Sequence, residues 1–390
     1  MAPVFETSLP PLFQFFPIDE ENVLSSFACE PPKPLAMWLT GANGCPVVPL
    51  ESLGVSVRQG LRTGANGFFY STLLSDDGVK ARVLPEGVAT AGEVEVPLAC
   101  IRPVIRRQAD LTDDFTVSES SVPGRVLDVR TYALPEDIEA GGPDARRSYA
   151  PMPESLASFV RMAALVDFGK SSKPTRVYEL SAVVTNIRKG SPAKGLAARF
   201  WYMLPDFAPR HYPDLLMPRV ISETPKAWLV GSPGLLVDAN FSTVRMQGNS
   251  SVTVHALLAL LNSTWCKAVL EFSAAVVGVG ALKVEATHLR RMPIPDMSAR
   301  EWERLSILGR SLADGRREIG PIDELITSAL FGRASTPEQQ AMLSSIAEEG
   351  RSRRVNNRRN KTSSDNNIEI ASFNPSELKP KKWLFRNKSA

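Results

Sequence analysis

The chain has 390 residues, of which 43% are hydrophobic and 22% are charged, with a formal net charge of +3 at pH 7. These values are ordinary for a globular protein, and the length predicts about two or three domains. A membrane-spanning protein is not expected, because the longest apolar stretch, 254–279, is interrupted by Asn262, Ser263, Lys267 and Glu271 and falls short of roughly 18 consecutive apolar residues.

The N-terminal half of the chain is predicted to be rich in strands. Residues 1–48 are Pro-rich and carry few periodic signals, which indicates an extended arm. From 53 to 108, apolar and polar residues alternate, and Asp76-Asp77-Gly78 predicts a hairpin turn. Residues 109–150 are acidic, irregular and Gly- and Pro-containing, which favours a long surface loop or an insertion.

The second half of the chain is predicted to become helical towards its end. Glu154 to Phe168 has helical spacing, residues 175–248 look β-rich and aromatic, and 254–275 reads as a strong apolar helix. A second helix is expected from 297 to 320, and two more in 321–349. The fold class predicted from this order is α+β, with C-terminal helices at 297–349.

The last 41 residues make the chain basic. Residues 350–390 hold 11 Lys and Arg against 3 Asp and Glu, which leaves 34 basic and 39 acidic residues on 1–349. The tail therefore carries +8 and the rest −5. Because the tail has few aliphatic side chains, disorder is expected there. A basic surface across the whole body is absent from these totals, so any contact with nucleic acid must come from local clusters.

The cysteines and histidines give no sign of catalysis or metal binding. Cys29, Cys45, Cys100 and Cys266 are far apart, with no Cys-x-x-Cys pair, which is typical of reduced core thiols in a cytoplasmic protein. The histidines, at 211, 255 and 288, lie in no nucleophile motif. An early run of acids and the lack of a basic n-region argue against a signal peptide. We expect no catalytic residue, cofactor site or metal ligand on this chain.

One segment, Gly60 to Tyr70, combines turn residues with groups that suit nucleic acid. Gly60, Gly64 and Asn66 tolerate backbone conformations that other residues avoid. Arg62 and Thr63 add a cation and a hydroxyl, with no carboxylate nearby. Such groups can hold a phosphate or read a base edge. A hairpin turn without a ligand is the alternative interpretation.

Four segments, taken in order, resemble the target-recognition and C-terminal region of N6-adenine DNA methyltransferases from restriction–modification systems. They are Gly60 to Tyr70; Ala198-Arg199-Phe200-Trp201-Tyr202-Met203; Leu216-Met217-Pro218-Arg219 through Trp228-Leu229 to Val237-Asp238-Ala239-Asn240-Phe241; and Leu257 to Pro295, with Leu261-Asn262-Ser263, Gly278-Val279-Gly280 and Pro293-Ile294-Pro295. The resemblance implies a target-recognition-like domain over about 49–296 that binds double-stranded DNA.

Polar and cationic side chains in three groups are the candidate DNA contacts, because such a domain must grip phosphates and read base edges. The first group surrounds the first hairpin, the second lies in a loop without acids between 180 and 205, and the third lies near the end of the resemblance: Arg58, Arg62, Thr63, Asn66, Lys80 and Arg82; Asn186, Arg188, Lys189, Lys194 and Arg199; Lys283, Arg290 and Arg291. Trp201 and Tyr202 are expected to be core residues.

The family's catalytic signature, a polar residue followed by Pro-Pro and an aromatic ring, is not found. The two Pro-Pro pairs, Leu9-Pro10-Pro11-Leu12 and Glu30-Pro31-Pro32-Lys33, lack the ring. We therefore expect a specificity subunit or fragment that acts with a separate catalytic methyltransferase chain, on which S-adenosylmethionine would bind. A truncated methyltransferase remnant and a non-catalytic protein-interaction module are the alternatives. An unrelated enzyme that binds phosphate at 60–67 is disfavoured, since no base or nucleophile lies nearby.

Overall fold

A computed structural model describes residues 27–41, 46–169, 174–191, 194–278 and 280–365. The helices in these ranges are α1 (Lys33–Leu39), α2 (Asn66–Phe69), α3 (Pro135–Ser148), α4 (Glu154–Ala163), α5 (Ser181–Val184), α6 (Val254–Asn262), α7 (Thr264–Ser273), α8 (Ala286–Arg290), α9 (Ala299–Ala313), α10 (Gly320–Phe331) and α11 (Pro337–Asp365). The strands are β1 (Val47–Pro49), β2 (Val55–Gln59), β3 (Tyr70–Asp76), β4 (Lys80–Pro85), β5 (Val94–Pro97), β6 (Ile101–Ile105), β7 (Thr116–Val117), β8 (Gly124–Leu127), β9 (Tyr132–Ala133), β10 (Ala150–Pro151), β11 (Leu215–Pro218), β12 (Val220–Ile221), β13 (Trp228–Val230), β14 (Leu236–Val237), β15 (Phe241–Met246), β16 (Ala275–Val277), β17 (Ala281–Lys283) and β18 (Pro293–Pro295).

Two sheets form the framework of the described chain. The five-stranded sheet has the order β2-β15-β11-β13-β7, and the six-stranded sheet has the order β14-β6-β8-β3-β4-β5. Most neighbours are antiparallel, but β7 pairs with β13 and β14 pairs with β6 in parallel. A small three-stranded sheet has the order β12-β17-β16. It follows the five-stranded sheet directly along the chain, because only Arg219 separates β11 from β12.

The buried side chains form two large cores and a small one between the sheets. The first core joins the five-stranded sheet to the C-terminal helices and includes Trp265 and Leu305. The second lies on the six-stranded sheet and α4 and includes Phe68 and Tyr202. The small third core holds Phe241 together with side chains of β6 and β14. The alternation in β4, with Ala81 and Val83 buried and their neighbours exposed, follows the two-residue period of a strand.

The two main sheets are joined by a three-residue crossing. Strand β14 belongs to the six-stranded sheet and β15 to the five-stranded sheet, and only Asp238–Asn240 separates them. The backbone of Asp238 donates to the Ile105 carbonyl (2.9 Å), and Leu61 donates to the Val237 carbonyl (2.7 Å). We call residues 238–240 the sheet crossing. It is held by the end of β6 on one side and by the segment after β2 on the other.

The α+β class is confirmed, but several expectations for individual segments are wrong. Residues 109–150 are not a surface loop, because they supply β7 and β8, which pair within the two main sheets. The N-terminal arm, as far as it is described, contains α1, whose Leu35 and Leu39 are buried. The predicted helix at 254–275 is two helices, because Ser263 adopts an extended conformation and caps α7 by accepting a hydrogen bond from the Cys266 backbone (3.2 Å).

The expected disorder from residue 350 is wrong for residues 350–365, which continue α11, whereas 366–390 lie outside the described residues. Arg354 on this helix is buried, with 1% of its side chain exposed, and pairs with the buried Glu271 carboxylate on α7 (Nε to Oε2, 2.8 Å). The same guanidinium donates to the Ser222, Glu223 and Gly280 carbonyls. Sequence composition could not reveal this, because the charge is satisfied only by distant residues.

Loss of the Arg354 guanidinium should destabilise the fold far more than loss of a neighbouring surface arginine. Arg354→Ala leaves the Glu271 carboxylate buried without its partner, which costs about 3–5 kcal/mol. The control is Arg351→Ala, since Arg351 is exposed and pairs with Glu348 in the same helix (3.0 Å); such a pair contributes roughly 0–1 kcal/mol. Urea denaturation of both variants provides the measurement. Equal losses of unfolding free energy would contradict the assigned role of Arg354.

Gly309 in α9 should be essential to the packing of α9 on α6. A Cβ atom at this position would overlap with the His255 carbonyl, so Gly309→Ala must push the helices apart, at a cost of about 1–3 kcal/mol or more. Gly320→Ala is the control, because nothing lies within 4 Å of its added Cβ; it should be neutral or stabilise by about 0.4–1 kcal/mol. Thermal unfolding of the two variants tests this, and a stable Gly309→Ala protein would refute the close approach.

Candidate nucleic-acid interface

The segment from Gly60 to Tyr70 runs between the two main sheets rather than forming a simple hairpin turn. Gly60 follows β2, and a Cβ atom there would overlap with the Val237 and Asp238 carbonyls of the sheet crossing. Gly64 has φ +82°, which only glycine adopts readily, and a Cβ atom there would lie 3.0 Å from the Ala182 carbonyl. The segment then turns into α2 and enters β3. The glycines are therefore explained by close backbone packing.

The polar side chains of this segment differ in how they are presented. Arg62 is exposed and donates to Gln59 Oε1 (2.5 Å). Thr63 is buried and donates to Asn66 Oδ1 (2.6 Å). Because its side chain is not exposed, the structure does not support the prediction that Thr63 contacts DNA. Asn66 itself is exposed at the start of α2. Arg62 and Asn66 thus remain available to a ligand, while Thr63 orients Asn66.

Among the described residues, Lys80 and Arg82 are paired with acidic side chains, unlike Arg58 and Arg62. Both lie on β4 of the six-stranded sheet. Lys80 pairs with Glu95 on β5 (2.7 Å), and Arg82 pairs with Glu93. Because their charges are matched locally by acids that the sequence did not associate with them, these two cations form the weakest part of the candidate interface.

The second group forms a two-stranded loop beside the Gly60–Tyr70 segment. The backbones of Arg188 and Arg199 exchange hydrogen bonds (3.0 and 2.8 Å), and Arg188 Nε donates to the Ala197 carbonyl (3.1 Å). Arg199 is largely buried and pairs with Asp206. The half-buried Asn186 donates to the Ala182 carbonyl (3.3 Å). Lys189 and Lys194 are exposed, and no partner for either ammonium group lies among the described residues. Two lysines are therefore the free charges of this loop.

The third group meets the first through a chain of hydrogen bonds at the sheet crossing. The Ala239 carbonyl accepts from Gln59 Nε2 (2.9 Å) and from Arg219 Nη1 (3.1 Å). Arg219 also makes a two-pronged contact with Glu285, Nε to Oε2 at 3.1 Å and Nη2 to Oε1 at 2.6 Å, and Lys283 pairs with the same carboxylate (3.1 Å). Arg62 and Lys283 are thereby linked, although more than 200 residues separate them.

Arg58 and the two arginines near α8 lie on adjoining elements. Arg58 is on β2, and α8 packs against β2. Arg58 and Arg291 are exposed, Arg290 is half-buried, and none of the three guanidinium groups has an ion-pair partner among the described residues. We call Arg58, Arg62, Arg219, Lys283 and Arg290 the junction cations. Their segments meet at the sheet crossing or at β2.

Sequence reasoning missed three arginines at this junction. Arg219 lies inside the third segment of the resemblance but belongs to none of the three groups of candidates. Arg106 and Arg107 directly follow β6 and lie beside Arg219 and Asn240 around one cavity. The sequence signal for this site is a pair of arginines, Arg106 and Arg107, directly after an apolar strand. The pair lies outside the three groups of candidates along the chain, so the sequence does not associate it with them.

Burial shifts the pKa values of several cysteines and histidines in the described residues, and the metal-binding residue types form no cluster there. No group of three or more His, Cys, Asp and Glu side chains within them could hold a metal ion. Burial raises the pKa of Cys100 to about 11 and of Cys266 to about 12, so both thiols stay protonated. Burial also lowers the pKa of His255 and of His288. In the part of the chain that is described, no helix has the length and apolar character needed to span a membrane.

Comparison with known proteins adds no relative. No protein-family model matches the chain, and no curated protein matches it significantly. The resemblance to adenine methyltransferases therefore stays a prediction.

His211, which lies against β2 and β15, should make folding depend on pH. Burial, together with Arg210, lowers the pKa of His211 to about 4, and its Nδ1 accepts from the Ala208 backbone (3.1 Å). Because the folded pKa lies below the ordinary value near 6.5, the stabilisation is complete above about pH 6.5 and is lost as pH falls towards 4, by up to ~3 kcal/mol. His211→Asn, which keeps an acceptor, should remove this dependence.

The measurement is urea denaturation of both proteins between pH 4 and pH 7.5. The difference in unfolding free energy between the two proteins, followed against pH, isolates the contribution of His211 from that of carboxylates that titrate in the same range. A difference that does not change with pH would contradict the lowered pKa.

Proposed function

We propose that this chain is the DNA-recognition subunit, or a recognition fragment, of an adenine-specific DNA methyltransferase of the restriction–modification or phage-defence type. It would bind double-stranded DNA and act with a separate chain that binds S-adenosylmethionine and carries the catalytic residues. The chain described here supplies sequence recognition and positions the duplex, and the methyl transfer belongs to its partner.

The observation that carries the proposal is that the four segments of the resemblance are mutually in contact. Phe68 of the first segment lies against Trp201 of the second, with ring centroids 5.1 Å apart. Leu61 of the first exchanges backbone hydrogen bonds with the third at Val237 and Ala239. The third and fourth are joined where the Val284 backbone donates to the Arg219 carbonyl (2.7 Å). Segments that share a domain's function are expected to be brought together in this way.

The chemistry of the junction fits a nucleic-acid backbone. Guanidinium groups can hold phosphates with two parallel hydrogen bonds, and lysine adds a mobile positive charge. Several junction cations are exposed, while the rest of the described body carries more acids than bases. Local attraction of this kind gives weak binding that depends strongly on salt, and a catalytic partner that binds the same complex would tighten it.

The proposal predicts that Arg58 and Arg62 contribute to DNA binding and that Lys80 and Arg82 do not. Removing two phosphate contacts should reduce the slope of log K against log salt concentration by about 1.8. We therefore expect the Arg58→Ala, Arg62→Ala double variant to show the shallower slope, and the Lys80→Ala, Arg82→Ala double variant to match the unaltered protein. Fluorescence anisotropy with a labelled duplex at several salt concentrations provides the measurement.

The same assay with the product of a neighbouring gene tests the partner. Absence of binding to any duplex pool at low salt, with and without that product, would overturn the proposed function. Equal effects of the two double variants would instead show that binding is non-specific and does not use the junction.

A further inference from the structure

A cavity of about 280 Å³ lies where the three sheets meet. Its polar lining consists of four cations and two amides, Arg106, Arg107, Gln108, Arg219, Asn240 and Lys283. They come from four structural transitions: the end of β6, the step from β11 to β12, the sheet crossing and the end of β17. We call it the junction cavity. Its volume lies just below the roughly 300–1,000 Å³ of typical small-molecule sites, so it suits a single chemical group rather than a whole cofactor.

Arg106 is the buried wall of the junction cavity, with 5% of the residue exposed. Its Nε and Nη1 atoms make no hydrogen bond among the described residues, although Nη1 lies within ion-pair range of the Glu86 carboxylate. The guanidinium also lies over the Tyr70 ring, 5.3 Å from its centroid. Arg106 is one of the residues that line the junction cavity, although its buried Nε and Nη1 atoms do not themselves face the open space.

The carboxylates near the junction cavity are placed behind its cations and are not part of the lining. Glu86 pairs with Arg106 and Arg107, and Glu285 pairs with Arg219 and Lys283. Asp110 accepts from the backbones of Arg106 and Arg107 (2.8 and 2.9 Å), and Asp238 accepts from the Tyr70 hydroxyl. The contacts of Glu86, Glu285 and Asp110 orient the cations, and the polar side chains that line the junction cavity are cations and amides, beside apolar surface.

We infer that the junction cavity clamps one phosphate of a nucleic-acid backbone, a phosphodiester, between Arg106, Arg107, Arg219 and Lys283. The inference rests on the proposed function and names one contact through which the duplex would be held. Arg106 and Arg219 are fixed by their surroundings, whereas Arg107 and Lys283 are exposed at 63% and 48% of their side chains. The site therefore has two cations held in place, Arg106 and Arg219, and two exposed ones, Arg107 and Lys283, which we call the rim cations.

A phosphodiester fits better than a free phosphate because of the charge around the junction cavity. Four cations are balanced by the four carboxylates behind them, so the site can accept one negative charge more easily than two. A backbone phosphate carries one, whereas inorganic phosphate carries between one and two near pH 7, because its second ionisation falls near neutral pH. The exposed side chains of Arg107 and Lys283 also leave this edge of the site open to solvent.

The DNA experiment uses Arg107→Ala, Lys283→Ala and the double variant in the full chain, with Lys80→Ala, Arg82→Ala as the matched control. The control also removes two exposed cations that are paired with carboxylates. Because both rim cations hold the same phosphate, the double variant should reduce the salt slope by about 0.9, the value for one phosphate, and each single variant by no more than that. An unchanged slope in the double variant, a reduction of about 1.8, as for two separate phosphates, or an equal effect of the control would overturn the inference.

A second experiment separates failure of the junction cavity from failure of the proposed function. Line broadening in ³¹P NMR is measured with dimethyl phosphate, a phosphodiester, and with inorganic phosphate. We expect broadening of dimethyl phosphate that the double variant abolishes. If the chain binds no DNA but this broadening is seen, the proposed function fails and the phosphodiester site stands. Broadening of inorganic phosphate alone, or of neither anion, would overturn the site even if the chain binds DNA elsewhere.

Discussion

The structure depends on the close backbone approach between Gly60 and the sheet crossing at Asp238–Asn240. No side chain larger than hydrogen fits at Gly60, and the backbones of Leu61, Asp238 and Ala239 exchange hydrogen bonds with both main sheets. Buried backbone groups must find partners, and here the partners belong to different sheets. The crossing therefore fixes how the five-stranded and six-stranded sheets meet. It thereby also fixes the positions of the cations at the junction.

The same constraint brings long polar side chains together at the junction. Strand ends and crossings leave polar backbone groups and long side chains at one edge, and a rigid framework holds them there. Arg219 bonds to the Ala239 carbonyl and to Glu285, so its orientation is set before any ligand arrives. Electrostatic preorganisation of this kind reduces the entropy lost on binding.

The C-terminal helix contributes stability to the half of the molecule that carries the small sheet. Arg354 reaches from α11 to Glu271 and to carbonyls beside β12 and β17. Since β17 ends at Lys283, the helix supports the segment that supplies one cation of the junction. A buried charge pair is a weak source of net stability but a strong determinant of which arrangement forms, because either partner alone is very costly.

Local periodicity and turn chemistry are enough to predict the α+β class, the hairpin at Asp76–Gly78, the helical character after residue 250 and the left-handed backbone of Gly64. Residue type, together with the resemblance, made Arg58, Arg62 and Lys283 candidates. The packing of distant segments was needed to show that Thr63 is buried, that Gly60 lies against the sheet crossing, that Lys80 and Arg82 are matched by acids on the next strand, and that Arg106, Arg107 and Arg219 share one cavity. Those outcomes depend on which distant segments become neighbours, and one-dimensional patterns carry no information about the charges that neighbours bring.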